Sequence, residues 1–186
     1  SEITAVPFTE QVKIITLAPE LPEAAAYFSL ARQKNILLSA GHSGASYEQM
    51  QQAVEQGLRY VTHAFNAMPG IHHRAPGLLT AALLDSRVTI ELIADGVHIH
   101  PAVLELAIRL KGPDGIVLVS DGTRAVGLPD GEYELGGQMA RLSQGRMTLA
   151  DGTIAGSAQP LLTGIRLLVN GLSRPLFESV RMATLN

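Results

Sequence analysis
The chain has no cysteine among its 186 residues, which excludes both disulfides and thiolate metal sites. Tryptophan is absent and aromatics make up 4%, too few for a platform on which single-stranded nucleic acid could stack. Basic charge is short as well. A formal net charge of −3 argues against a nucleic-acid surface or a polybasic membrane anchor. No apolar run is long enough to span a bilayer, and no basic region followed by an apolar stretch opens the chain. These absences predict neither nucleic-acid nor membrane partners, and a reducing, cytoplasmic location fits them. No Gly-x-Gly-x-x-Gly follows any candidate strand, which weighs against dinucleotide binding.

What is present is 46% hydrophobic, enough for a substantial core. Five apolar, β-branched-rich runs stand at 12–17, 36–39, 60–62, 88–93 and 116–119, with starts 24, 24, 28 and 28 residues apart. Helix-like stretches lie between them. The first, 22–33, opens on a proline, and 46–56 opens on Ser46 with Gln49 three residues on, a capping box, before stopping at Gly57. The others are 75–84 and 101–111, the latter ending at Gly112-Pro113. The alternation predicts an α/β fold, and strands apolar throughout suit a parallel sheet covered on both faces.

After the fifth strand the pattern changes. Turn signals at Pro129-Asp130-Gly131 and Ala150-Asp151-Gly152 bracket two alternating stretches, 132–135 and 146–149, which read as a β-hairpin excursion over about 129–152. Helices are expected over 158–170 and 173–183. Two architectures remain open on pattern alone: an open doubly wound sheet, or part of a (β/α)8 barrel, since five strands are too few for eight.

Residues capable of chemistry fall just after strands: Glu20, His42, His63, Asn66, Asp95, His98 and Asp121. A single strand-end histidine is usually structural. Two on consecutive βα units form a stronger signal, because neighbouring strands lie ~4.8 Å apart and both imidazoles can converge on one ion, with zinc or another first-row metal suited to neutral imidazole. His98-Ile99-His100 leads into a helix, so only one of its rings need face a site. Asp121-Gly122 is either a turn or cap, or a general base beside such a metal; for Asp95-Gly96 the turn reading is favoured. The loop 66–74 is long and carries Arg74, a solvated cation or a bidentate clamp for phosphate or carboxylate. The stretch 154–157 either offers backbone N–H groups to a ligand at a helix N-terminus or simply ends in a helix cap, Ser157.

With these residues in view, a resemblance becomes specific. The strings TLAPE, GHSGASYEQM, THAFNAMPGIHHRAPG, IADGVHIHP, VSDGTRAVGLPDGEYELGG, LADGTIAGSA and VRMATLN resemble, in order and from about Val12 to Asn186, the N-acetylglucosamine-6-phosphate deacetylase family of metal-dependent amidohydrolases. The resemblance implies a partial (β/α)8 TIM-like barrel, the five strands being about its fourth to eighth. The whole of 1–186 would then be a C-terminal portion of the barrel domain. It implies His42 and His63 as ligands of a divalent metal, zinc ahead of iron, manganese or cobalt, and Asp121 as catalytic acid/base. Asn66 and Ala67 would contact a phosphosugar substrate, as would Ile154, Ala155 and Gly156. Arg74 and His98 match sugar-phosphate contacts that reach the neighbouring subunit's site in a homodimer or higher homo-oligomer. The implied reaction hydrolyses the acetamide of N-acetylglucosamine 6-phosphate to glucosamine 6-phosphate and acetate.

Three family features do not occur in this sequence: the His-Leu-Glu-Gly-Pro motif whose glutamate is a metal ligand, a Gly-Ala-His substrate segment, and the small β domain built from both chain ends. The expectation is therefore a piece of a longer protein. Two alternatives stand beside the enzyme reading, a non-catalytic fragment lacking a metal ligand and an amidohydrolase for a different amide.

Overall fold
The structure, a computed structural model, describes residues 11–186; the start of the domain expected over 1–186 lies outside the described residues. It divides into two compact units, Ser1–Glu91 and Leu92–Asn186.

In the first unit, strands and helices alternate: β1 (Ile14–Leu17), α1 (Ala24–Lys34), β2 (Leu37–Ala40), α2 (Tyr47–Glu55), β3 (Tyr60–Val61), α3 (Gly77–Leu84) and β4 (Thr89–Leu92), whose last residue opens the second unit. The strands pair in parallel in the order β1-β2-β3-β4, with Ile14 opposite Leu37, Ser39 opposite Tyr60 and Tyr60 opposite Thr89. Each element follows from local chemistry. Both halves of the capping box form at α2: Gln49 N–H donates to Ser46 Oγ at 3.2 Å, and Ser46 N–H to Gln49 Oε1 at 2.8 Å. Asn35 ends α1 in the left-handed conformation that asparagine tolerates. Met50, Val54, Leu58, Val61, Leu78, Ala82 and Ile90 are buried and form the core between helices and sheet.

One expectation fails here. β1 is not covered on both faces: Ile14 is 49% exposed and none of the strand's four residues is buried. Its hydrogen-bonding partner among the described residues is β2, so it is an edge strand of this sheet. The sheet's strands still crowd one another at their C-terminal ends. A Cβ at Gly41 would lie 2.5 Å from Thr16 Cγ2 and 3.2 Å from Thr62 Cβ, so only glycine fits directly before His42.

In the second unit, α4 (Pro101–Lys111) starts on a proline at its first turn and stops at Gly112, as its sequence predicts. β5 (Ile116–Leu118) follows, and Val119 N–H donates to the Leu92 carbonyl. The excursion is larger than a hairpin. β6 (Gly131–Leu135), β7 (Gln138–Ser143), β8 (Arg146–Thr148) and β9 (Ile154–Ser157) form a four-stranded antiparallel sheet in that order. The stretches expected to pair with each other both pair with β7 instead. Two tight turns make this possible. Gly136-Gly137 and Gln144-Gly145 both have positive φ at each residue, the two-residue geometry that matches strand twist. Ala140, Leu142, Met147, Ala125 and Ala158 form the sheet's small core.

The late helices are also shifted. Residues 154–157 are a strand rather than the lead-in to a helix, so Ser157 is not a helix cap. α5 (Leu161–Arg166) begins four residues after Ser157, directly after Pro160, and widens into a π turn over Leu167–Gly171. α6 (Leu176–Thr184) follows.

Candidate metal and catalytic site
The first unit places His42 two residues past the end of β2 and His63 two residues past the end of β3. Parallel neighbours in register bring the two turns level, and the imidazoles meet: Nε2 of one lies 3.0 Å from Nε2 of the other, with ring planes at 79°. Two neutral rings can share one proton across that gap. Alternatively both lone pairs face a cation. A separation of 3.0 Å is less than two zinc–imidazole bonds of ~2.0–2.1 Å laid end to end, so one ion can touch both nitrogens. His63 is buried and His42 is exposed, so the pair opens to solvent on one side. His63 Nδ1 is buried with no hydrogen-bond partner among the described residues, so ring orientation there is not fixed through Nδ1. The donor chemistry and spacing fit a first-row divalent ion as two of its ligands. They do not complete a shell, for no group of three His, Cys, Asp or Glu suited to a metal comes together among the described residues.

The turns that carry the two histidines are each held by a carboxylate. His63 N–H donates to Glu91 Oε2 at 3.0 Å, and Ala64 N–H to the Glu91 carbonyl at 2.8 Å. Beside His42, Ser43 Oγ donates to Glu20 Oε2 at 2.6 Å and Gly44 N–H to Glu20 Oε1 at 2.7 Å. Glu91 also acts on Tyr60, whose phenol is pushed up to about 12, first by burial and then by that negative charge. Neither role for Glu91 is visible in the sequence, where it sits unmarked inside an apolar run.

The turn after His63 is unusual. His63, Phe65 and Ala67 all have positive φ (33°, 77° and 52°), a region where non-glycine residues are uncommon. Asn66 braces it, its Nδ2 donating to the carbonyls of His63 and Ala64, both at 3.3 Å. Ala67 is exposed. Farther along the loop, Arg74 is exposed and donates to His73 Nε2 at 2.7 Å, while its N–H donates to His72 Nδ1.

In the second unit Asp121 is exposed, three residues beyond β5, with φ at 47°. Its carbonyl accepts from Ser157 N–H at 3.0 Å, which ties it to the end of β9. Gly156 makes this approach possible: at φ 82°, a Cβ there would sit 2.7 Å from Thr123 Cγ2 and 3.5 Å from the Asp121 carbonyl. Ile154, Ala155 and Gly156 are therefore a strand docked beside Asp121.

Asp95 makes the turn its sequence predicts and does more. Oδ1 accepts from the backbone N–H of Val97 and His98, both at 2.9 Å. Oδ2 takes His98 Nδ1 at 2.8 Å and Ser157 Oγ at 3.1 Å. Burial pushes this carboxyl up, but hydrogen bonds from the His98 ring and the two N–H groups, with the His98 charge, outweigh it and hold it at about 2. The bond fixes His98 with Nδ1 toward Asp95 and Nε2 left for another partner. His100 does not join this network; its Nδ1 caps α4 by accepting from Ala102 N–H. Sequence reasoning missed the Asp95–Ser157 link because the partners lie 62 residues apart.

No protein-family model matches the chain. Individual proteins do. The chain is 40% identical over 177 residues, 95% of its own length and 46% of the relative's, to N-acetylglucosamine-6-phosphate deacetylase of Lysinibacillus sphaericus. It is 35% identical over 175 residues, 94% of its length and 46% of the relative's, to N-acetylgalactosamine-6-phosphate deacetylase of Escherichia coli O157:H7. The solved N-acetylglucosamine-6-phosphate deacetylase of Thermotoga maritima superposes with a TM-score of 0.90 at 32% identity, over 98% of this chain and 49% of that one. The chain spans about half the length of the curated relatives it matches. Sequence and fold together make it a homologue of the N-acetylglucosamine-6-phosphate deacetylases over about half of their length.

Proposed function
We propose that this chain carries the metal and proton-transfer residues of an amino-sugar-phosphate deacetylase that hydrolyses the acetamide of N-acetylglucosamine 6-phosphate. The observation that carries the reading is the meeting of His42 and His63 at 3.0 Å on two strand ends, in a chain 40% identical to such a deacetylase. In this reading β1–β5 are about the fourth to eighth strands of a (β/α)8 barrel, and 1–186 is a C-terminal portion of that domain.

His42 and His63 would hold a divalent metal, zinc ahead of iron, manganese or cobalt. When bound, such an ion polarises a carbonyl and lowers the pKa of water toward ~7. Asp121 takes the proton released as water adds to the acetamide carbon and delivers it to the departing nitrogen. The C–N bond breaks, and acetate and the amine leave. Asn66 and Ala67 of the strained turn, and Ile154, Ala155 and Gly156 beside Asp121, would contact the sugar. Arg74 supplies a planar cation for the phosphate. His98, oriented by Asp95, supplies an imidazole, and both would serve a neighbouring copy in a homodimer or higher homo-oligomer. No helix among the described residues is long and apolar enough to cross a membrane. A cytoplasmic location and the absence of nucleic-acid partners are part of the same proposal.

The test is Asp121→Asn, assayed by acetate release from N-acetylglucosamine 6-phosphate with metal content measured in parallel. Activity should fall by ~10²–10⁴, the usual worth of a general acid–base group, with metal content unchanged. Near-normal turnover would remove Asp121 from its role. A second reading, that the chain is a non-catalytic fragment, draws on the lack of a third metal-suited side chain among the described residues. It predicts no acetate release from the wild-type chain either. Release from the N-acetylgalactosamine 6-phosphate isomer in preference would move the substrate, and release only from a different amide would move the reaction.

A further inference from the structure
We propose that Glu20 and Glu91 are positioning residues for the metal site, each clamping the backbone turn that presents one histidine. The inference rests on the reading that His42 and His63 bind a metal. His42 and His63 both leave their strands with positive φ, at 48° and 33°. A histidine gains nothing by itself from that conformation, which costs an L-residue a Cβ–carbonyl clash. Something outside the turn must therefore select it.

In both cases a carboxylate from an adjacent part of the sheet does so. Glu20, three residues past β1, accepts from Ser43 Oγ at 2.6 Å and from Gly44 N–H at 2.7 Å. Ser43 is 1% exposed and its Oγ in turn accepts from Ala45 N–H at 3.1 Å, so Glu20 fixes the three residues after His42. Glu91, on β4, accepts directly from His63 N–H at 3.0 Å, while its own carbonyl holds Ala64 N–H at 2.8 Å. These are charge-assisted bonds, short at Glu20 and of ordinary length at Glu91. They hold the turns even though the His63 ring itself has no partner at Nδ1 among the described residues. A metal-ligating histidine is ordinarily oriented through its second ring nitrogen. At His63 the held group is the main chain, which sets the direction of the Cα–Cβ bond rather than the rotation of the ring.

Neither carboxylate is assigned as a ligand. Each acts through a neighbouring histidine, so the readout is metal affinity. This chain is titrated with Zn²⁺ alone against a competing chelator, at a temperature where circular dichroism shows every metal-free variant folded. Glu20→Ala and Glu91→Ala should each bind zinc ~10–100-fold more weakly, the usual effect of losing an outer partner of a metal ligand. Glu91→Gln keeps an oxygen for His63 N–H and should return toward wild-type affinity. Glu20→Gln has one acceptor oxygen for two donors and should fall between, and it carries the test if the alanine variant does not fold. Loss of affinity in a folded variant is the effect that a merely structural role would leave unmoved. Wild-type affinity in either folded alanine variant overturns the assignment of that residue. His63→Ala is the control: if it binds zinc as tightly as the wild type, the metal reading itself has failed, which is a different result from an intact histidine site indifferent to Glu20 and Glu91.

Discussion

Lowering the pH through the acidic range should dismantle the Asp95 network in a way that can be worked out in advance. Asp95 is held at about 2 in the folded chain, against an ordinary value of 3.8. Its side chain is 6% exposed, so solvent screening discounts little of the effect. The depression of nearly two pKa units corresponds to about 2 kcal/mol. The sign is that of a carboxyl whose folded pKa is depressed: the stabilisation is complete above about pH 4, where the unfolded chain's aspartate is ionised, and it drains away as pH falls toward 2. Asp95→Asn keeps an oxygen for the two backbone N–H groups. At the other position it sets an amide N–H₂ against His98 Nδ1 and Ser157 Oγ. The variant should therefore be less stable than wild type by about 2 kcal/mol at pH 7 in urea unfolding followed by circular dichroism. At pH 3 the difference should shrink clearly, because the wild type has by then lost part of what the variant never had. A difference that stays constant from pH 7 to pH 3 would refute the linkage, and no difference at pH 7 would mean that the buried carboxylate contributes nothing to the fold.

Two further substitutions probe the scaffold. Gly156→Ala sets a methyl group 2.7 Å from Thr123 Cγ2 at a φ of 82°, so we expect a loss of at least ~1–2 kcal/mol in unfolding experiments, with activity falling more than stability because β9 must draw away from Asp121. Ser46→Ala removes one half of the capping box and should cost about 1 kcal/mol in the same measurement while leaving zinc affinity unchanged, since the cap lies beyond the Glu20 clamp.

The parallel part of the fold was readable because its signals are local. Apolar runs, a Ser-x-x-Gln box and a Gly-Pro stop each act within a few residues, and the strands and α4 fall where those signals place them. The antiparallel sheet was half readable. Stretches 132–135 and 146–149 announced themselves by alternation, but Gln138–Ser143 buries only Ala140 and Leu142, too little apolar character to stand out between its two glycine-containing turns. Ser157 misled for a related reason. A serine ahead of an apolar run is a good helix cap locally, but its hydroxyl accepts from Gln159 N–H in a tight turn and donates to the distant Asp95 carboxylate, and the helix starts after Pro160. Among the candidate site residues, His42 and His63 stood out by type and spacing and Glu20 by its place after a strand, whereas the backbone contacts of Glu20 and any part for Glu91 did not. Carboxylates that serve backbone N–H groups across strands leave no periodic mark in a sequence.

The strand ends share a local device. His42, His63 and Asp121 each follow a parallel strand by two or three residues, and each has φ between 33° and 48°. Glycine would occupy that conformation at lower cost than histidine does, while aspartate, like asparagine, tolerates it. Such strain persists only where the surroundings over-determine it. Here they do so by different means: Glu20 grips the residues after His42, Glu91 grips the N–H of His63, and Ser157 grips the carbonyl of Asp121, with Gly156 clearing the space. In no case does the grip use the side chain that would do chemistry. In the proposed reading the side chains that would do the chemistry are thereby left to a ligand while the main chain behind them is locked, which is the arrangement preorganised catalysis requires.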